Sequence, residues 1–463
     1  MRIRLEQEYR LLENDVETPI SLYLREVGNE QGILLESAEV DGRWGRYSII
    51  AGNFLLRVGC RNGLLELASR DRRLNDLKRY DGLPFVEGLR KVMDALEIAP
   101  AGPGDLPPIT RGLYGYFGYG MAGIFEPKLS VALPPADAEC CLVLPGTLTL
   151  FDHQYNRLCR LSLASSPAGK TSRGDIAERP ATVGKISATI EKGAYLRLVE
   201  DVRERIRQGE GIQVVPSVRF QAPFEGEPFT LYRRLRRINP SPYLFFMRLP
   251  GVTLMGSSPE VMVGCQGDAL RLSPIAGTRP RGGSAGEDNL FEGELISDPK
   301  EQAEHVMLVD LGRNDLGRVA TPGSVKLERY MEVERFSHVM HLTSYITATL
   351  APGLDALDVL AAAFPAGTVT GAPKIRAMEI IAEVERQPRG PYGGAIGWLG
   401  LDKDGVHLDT GITIRSLWVR NGQVQWQAGG GVVFDSSPEA EWKECNNKAA
   451  AMRLVLAGSG AVS

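Results

Sequence analysis

A chain of 463 residues exceeds the roughly 250–300 residues at which one hydrophobic core stops growing, so two domains or one large composite fold is expected. Hydrophobic residues at 43% and charged residues at 24% match ordinary globular usage and exclude a disordered, collagen-like or membrane-embedded chain. A net charge of −4 without a long run of Lys or Arg argues against a nucleic-acid partner.

The opening MRIRLEQEYRLLEND scatters its charges and has no apolar core of signal-peptide length, and no later stretch approaches the ~18 apolar residues of a spanning helix. A cytoplasmic location is expected, with no membrane partner. Residues 1–164 carry apolar runs broken by Gly and Pro, among them SIIAGNFLLRVG, GLYGYFGYG and CLVLPGTLTLFD, which read as short strands and tight turns. Residues 165–185 are polar, contain Gly and Pro, and lack periodicity, so they read as a linker between an N-terminal domain (1–164) and a second domain (186–463).

Beyond the linker, Tyr195, Leu198, Val199, Val202 and Ile206 recur at helical spacing and stop at Gly209. IQVVPSVRF follows as a strand, and a second helix runs through Leu231, Leu235 and Ile238, with Arg233, Arg234, Arg236 and Arg237 on its polar side. YLFFMRL, VTLMG, residues 337–350, GAIGWLGL, ITIRSLWV and QVQWQAGG read as strands, some joined by hairpin signals such as Asn421 and Gly422. Short turns between neighbouring strands imply antiparallel pairing and an α+β fold: two interlocked, sandwich-like β-rich domains surrounded by helices. The six cysteines show no C-x-x-C spacing and no pairing with the five histidines, so reduced, mostly buried thiols are expected.

Four groups of residues carry chemistry. Asp298 and Pro299 open a helix bearing Glu301 and Glu304, and Ser437 and Pro438 open another bearing Glu441 and Glu444. Two Glu-x-x-Glu faces brought together offer oxygen ligands to Mg²⁺, although acids in a first turn also simply complement the helix dipole. FPAGTVTGAPK (364–374) and QAGGG, with Gly429, Gly430 and Gly431, are glycine-containing loops before helices, suited to an anion or to an ordinary turn; neither matches a nucleotide-binding loop. In 337–350, Met340, Leu342, Ile346 and Leu350 share one face; His341, Thr343 and Tyr345 share the other, so His341 points away from the apolar side and His338 is the structural candidate. SSPE ending at Glu260, followed by PIAGTRPRG, places a carboxylate and turn donors at strand ends.

Taken together, PIAGTRPRG, EQAEHVMLVDLGRNDLGRV, FSHVMH, FPAGTVTGAPKIRAMEI, GGAIG, LDTGITIRS and QAGGGVV…EWKECNNKA closely resemble the chorismate-utilising enzymes, in that family's order, over about residues 190–455. LLESAEVDGRWGRYS and GLYGYFGY are similar to the N-terminal domain shared by the component I chains of anthranilate synthase and aminodeoxychorismate synthase. The resemblance implies Glu304 and Glu444 as direct Mg²⁺ ligands, with Glu301 and Glu441 holding its waters, and the metal on the ring carboxylate of chorismate. It implies substrate contacts from Gly277, Thr278, Thr368, Tyr392, Arg415 and the backbone of Gly429, Gly430 and Gly431. Glu260 matches the acid that protonates the departing C4 hydroxyl, and His341 matches the base of the aromatising step; Thr368 belongs to the same catalytic set.

Relatives that add water carry a basic lysine where this chain has Gln213, and many aminodeoxychorismate synthases have a lysine in the motif that here contains Ala276. Ammonia attack and anthranilate formation, with pyruvate released, are therefore expected. Aminodeoxychorismate synthesis is the enzymatic rival, and a catalytically idle tryptophan-binding regulator is the other. LLES and NPSPY resemble a feedback pocket for L-tryptophan, with Leu34, Glu36, Ser37, Pro242, Tyr243 and Leu244 as contacts. No G-x-C-x-G turn surrounds a cysteine, so a separate glutamine amidotransferase subunit is implied as ammonia source and hetero-oligomeric partner.

Overall fold

Alternation of apolar and polar positions makes strands in both halves of the chain. The computed structural model describes residues 2–13, 16–37, 45–102, 106–163, 181–336 and 339–457. Among these residues twenty-two strands join one hydrogen-bonded network, and Gln213–Val214 pairs separately with Gly371–Ala372. Among the described residues the ladders are antiparallel, apart from Ile3–Leu12 beside Leu96–Ala99.

Two ladders stitch the halves together. Gly32–Glu36 pairs with Tyr243–Leu249, and Gly112–Phe117 pairs with Ala395–Gly400. The three larger apolar cores follow the same plan, each mixing residues from both halves: Leu113 with Leu408, Tyr23 with Trp426, and Ile33 with Trp418. The expected interlocked, mostly antiparallel α+β fold is what forms. Of the expected linker, 165–180 lies outside the described residues, and Thr182–Val183 adds a short strand against Phe224 and Glu225.

Helices cover the network where the periodicity places them. Lys192–Arg207 buries Tyr195, Leu198, Val199, Val202 and Ile206, and Pro228–Ile238 buries Leu231 and Leu235 while Arg233 and Arg237 stay exposed. All six cysteines are free, and five are buried. Among the described residues no helix is long and apolar enough to cross a membrane.

The structure departs from the sequence reading in four strands. The N-terminal runs are long rather than short: Tyr47–Arg61 and Cys140–Asp152 pass through their Gly and Pro positions as one ladder. The register shifts between Phe54 and Leu56, so Leu55 is absorbed as a bulge instead of a turn. IQVVPSVRF splits into Gln213–Val214 and Ser217–Glu225 around Pro216, which has no N–H for a ladder. ITIRSLWV splits into Val406–Ile412 and Ser416–Arg420 around Arg415, which takes the left-handed region at φ 49°. His338 lies outside the described residues.

One buried ion pair fixes the loop at 364–374. Lys374 Nζ lies 2.7 Å from both carboxylate oxygens of Asp315 and donates to the Ala363 carbonyl at 3.3 Å, tying helix Pro299–Gly317 to the start of helix Lys374–Glu385. Lys374→Met leaves the Asp315 carboxylate buried without its cation. A loss of about 3–5 kcal/mol is expected from denaturant unfolding, partly recovered in the double variant with Asp315→Asn; an unchanged midpoint would remove the pair from this role.

Candidate active site

Glu260 sits in the connection between Val252–Ser258 and Val261–Gly267, with its backbone carbonyl accepting from Ile412 N–H at 3.0 Å. Its side chain is 4% exposed, and the Thr368 hydroxyl donates to Oε1 at 2.6 Å. Burial pushes the carboxyl up to about 7, against the opposing pull of the Thr368 and Ile275 hydrogen bonds and the Arg415 charge. A carboxyl with that value is protonated in part at neutral pH and suited to give its proton away.

His341, 2% exposed, lies on the strand Val339–Thr349. Its Nδ1 is 2.7 Å from the Gly277 carbonyl oxygen, which only accepts, so Nδ1 carries the proton; the Thr278 hydroxyl is 3.2 Å from the same nitrogen. Nε2 is buried and has no hydrogen-bond partner. Burial lowers the imidazole to about 4, with the Arg415 charge adding to the effect, so the ring is a neutral base with a free lone pair. Gly277 and Thr278 are placed by a register shift between Ala276 and Arg279 that lifts them out of the ladder with the His341 strand. Gly277 has φ 63°, and a Cβ there would lie 2.7 Å from Leu295 and 3.2 Å from Glu301 Oε2.

The two acidic helices form as read. Asp298 caps Pro299–Gly317 by accepting from the N–H groups of Lys300 and Glu301, and Pro438–Ala457 carries Glu441 and Glu444. Burial raises the Glu304 carboxyl, and the charges of Glu301 and Glu444 raise it further, so carboxylates from both helices share one region. Burial also raises Glu441, whose Oε1 accepts from Ser436 at 2.7 Å while Oε2 is buried without a partner. Gly430 lies directly against them: a Cβ there would be 2.8 Å from Glu441 Oε2 and 3.3 Å from Glu444 Oε1. Among the described residues no three His, Cys, Asp or Glu side chains converge into a metal cage by themselves. The four carboxylates with an orphaned oxygen do fit a cation that takes only one or two protein ligands directly.

Arg415 projects from its left-handed position between two strands, and no described residue accepts a hydrogen bond from its guanidinium. Burial works against its charge while Glu260 supports it. Tyr392 is buried, and its hydroxyl lies against Gly429, 3.1 Å from where a Cβ there would stand. Gly431 abuts Gln213, where a Cβ would meet Nε2 at 2.3 Å. A partly protonated acid, a free base, a carboxylate group and a guanidinium with no acceptor among the described residues are thus drawn from five separated segments, which suits a small polyanionic substrate.

Residues 68–454 match the sequence profile of the chorismate binding enzymes. The chain belongs to the chorismate binding enzymes. Among them, it is 41% identical to anthranilate synthase component 1 of Streptomyces coelicolor, over 97% of this chain and 88% of that one. Identity to the Pseudomonas aeruginosa anthranilate synthase component 1 is 39%, over 96% and 94%. The crystal structure of anthranilate synthase component I from Streptococcus pneumoniae superposes with a TM-score of 0.72 at 32% identity, covering 96% and 99%. The menaquinone-specific isochorismate synthase of Escherichia coli shares the fold, with a TM-score of 0.69 at 19% identity, covering 98% and 96%. Within the family the chain belongs with the component 1 anthranilate synthases.

Two cations of this chorismate binding enzyme hold the acidic helices, and of these the sequence reading did not single out Lys448. Lys448 bonds Glu444 at 2.8 Å and the Gly429 carbonyl at 3.1 Å, linking the acidic helix to the glycine loop. Arg279 bonds Glu301 at 3.2 Å and Asp298 at 2.8 Å. The i, i+4 spacing of Glu444 and Lys448 was a readable signal.

A separate cavity of about 1220 Å³ is lined by Glu36, Ser37, Pro242, Tyr243 and Leu244 among others, and by none of Glu260, His341 or Arg415. Leu34, expected among the contacts, is turned into the core with Phe246, its ladder partner; the alternation of the strand puts Leu35 on the cavity instead. The Glu36 carboxylate is already held by the Tyr232 hydroxyl at 2.5 Å and the Arg236 fork at 2.9–3.2 Å, whereas Ser37 Oγ is buried without a partner. The Tyr243 hydroxyl donates to Asp409 at 2.7 Å, and Arg271 holds the other Asp409 oxygen at 2.7 Å.

Proposed function

We propose that the chain is the chorismate-using large subunit of an anthranilate synthase, converting chorismate and ammonia to anthranilate, pyruvate and water. The observation that carries this reading is the pairing of opposite proton states around Arg415: a Glu260 carboxyl held up to about 7 and a His341 ring held down to about 4 with Nε2 free. Glu260 gives a proton to the C4 hydroxyl as it leaves and ammonia enters the ring. His341 Nε2 then takes the ring proton, pyruvate departs, and the ring becomes aromatic. Arg415 and Tyr392 hold the enolpyruvyl carboxylate, and Gly277, Thr278 and the glycine loop hold the ring end. Buried Ala276 supplies no amine nucleophile, which favours direct ammonia attack over the aminodeoxychorismate route. An idle tryptophan-binding regulator has no use for this set of acids and bases.

Glu304 and Glu444 would hold Mg²⁺, with Glu301 and Glu441 on its waters; the ion supplies positive charge for the ring carboxylate. Glu304→Gln or Glu444→Gln is expected to raise the Mg²⁺ concentration for half-maximal turnover about tenfold or more while the melting temperature holds; an unmoved requirement would refute the assignment. Ammonia would come from a glutamine amidotransferase subunit in the cytoplasm. L-Tryptophan would occupy the cavity at Ser37, Pro242, Tyr243 and Leu244 as feedback inhibitor. Ser37→Ala is expected to weaken tryptophan inhibition about fivefold, reflecting a lost hydrogen bond of about 1 kcal/mol, and unchanged inhibition would take Ser37 off the site.

The deciding experiment incubates the purified chain with chorismate, Mg²⁺ and ammonium, following anthranilate fluorescence and pyruvate together. Equal amounts of both establish the reaction; loss of chorismate without either points to aminodeoxychorismate.

A further inference from the structure

Arg389 and Glu385 form an ion pair whose side chains are 1% and 2% exposed, and neither has been given a role above. Glu385 ends helix Lys374–Glu385, and Arg386, in the left-handed region at φ 52°, turns the chain so that Arg389 returns onto it. Nε donates to Oε2 at 3.0 Å and Nη2 to Oε1 at 2.6 Å. The fork has donors left over. Nη1 reaches the Val369 carbonyl and Nη2 the Val215 carbonyl, both at 2.7 Å. Glu385 Oε1 also accepts from the Ser217 N–H at 2.8 Å and hydroxyl at 2.7 Å. The guanidinium carbon stands 4.7 Å from the Tyr119 ring centre and 5.6 Å from that of Tyr392.

Apolar residues fill such a volume at least as stably as a buried ion pair. What a planar five-donor fork adds is geometry, since it fixes several backbone segments against each other at once. Each segment it holds here leads directly to the site. Val369 follows Thr368, the donor to Glu260. Val215 ends the short stretch that begins with Gln213, packed against Gly431. Ser217 is the ladder partner of Gly429, where a Cβ would lie 3.1 Å from the Tyr392 hydroxyl.

We propose that Arg389 and Glu385 are the positioning pair of the active site, setting the Thr368 loop, the glycine loop and Tyr392 in register around Glu260. This rests on the functional reading above. Arg389→Lys keeps the charge and loses the fork; Ser217→Ala cuts one thread and leaves the pair intact. Both are compared with the wild-type chain for melting temperature, kcat, KM for chorismate and the pH dependence of kcat.

In Arg389→Lys, a single cooperative melt is expected with kcat lowered about tenfold or more, the scale of a catalytic group displaced by a fraction of an ångström. The alkaline limb of its pH profile moves upward as Thr368 ceases to support the Glu260 carboxylate. Ser217→Ala raises KM more than it lowers kcat, because its thread leads to the glycine loop. A folded Arg389→Lys chain with wild-type kcat and an unmoved alkaline limb overturns the proposal. If that variant does not fold, Ser217→Ala decides, and an unchanged KM overturns it. A wild-type chain that leaves chorismate untouched overturns the functional reading, and the positioning pair falls with it; an active wild type with unaffected variants overturns the pair alone.

Discussion

Glu260→Gln is expected to lower chorismate turnover by about a thousandfold and at the same time to make the chain more stable at pH 8. The first effect is the loss of a positioned general acid, typically 10²–10⁴ in rate. Glutamine keeps the size and still accepts from Thr368, so little else changes. The second follows from the carboxyl being raised to about 7, above its value of about 4.3 in an unfolded chain. A carboxyl raised by folding leaves stability intact below the unfolded value and removes it as pH rises through the folded one. Between about pH 4.5 and 7 the wild type therefore loses roughly 3 kcal/mol that the glutamine variant keeps. Steady-state rates and denaturant unfolding at pH 5 and pH 8 check both parts. The wild-type rate should fall with an apparent pKa near 7, and a variant retaining a tenth of wild-type turnover would remove Glu260 from the acid role.

His341→Ala is expected to separate the two halves of the reaction. Chorismate is still consumed and an aminated intermediate accumulates, while pyruvate and anthranilate fall by about a thousandfold, because Nε2 is the free base of the second step. Quenched samples resolved by chromatography distinguish the intermediate from the products, and undiminished pyruvate release would exclude the assignment. The stability sign is opposite to that of Glu260. Folding lowers the imidazole from about 6.5 to about 4, so its destabilisation is absent above pH 6.5 and grows as pH falls toward 4. The two slopes oppose each other. Acid and base together cost the fold roughly 3 kcal/mol across this range, with the burden passing from one residue to the other.

The features that could be read in the sequence were those with local causes. Asp298 and Pro299 announce a helix because cap and proline act within one turn, and Glu301 and Glu304 follow from that placement. Strands such as Tyr243–Leu249 are visible in their apolar runs. Arg415 was visible as a residue but not in its conformation, since a left-handed φ inside ITIRSLWV is imposed by the strands around it. Leu34 and Leu35 are indistinguishable until the pairing with Phe246 and Phe245 decides which one faces the cavity. The Arg389 fork spans segments from Val215 to Val369, and no spacing within one element foretells it.

The ladder that joins the halves also governs how the chain is made. One edge of Gly32–Glu36 pairs with the strand that follows it, but the other waits for Tyr243–Leu249, roughly two hundred residues downstream. At about 5–20 residues per second, the ribosome leaves that edge open for about 10–40 s. An apolar strand with unsatisfied N–H and C=O groups is a template for pairing with another chain. The nascent N-terminal half is thus an aggregation hazard until its partner emerges, and a fragment ending before Tyr243 keeps that hazard permanently.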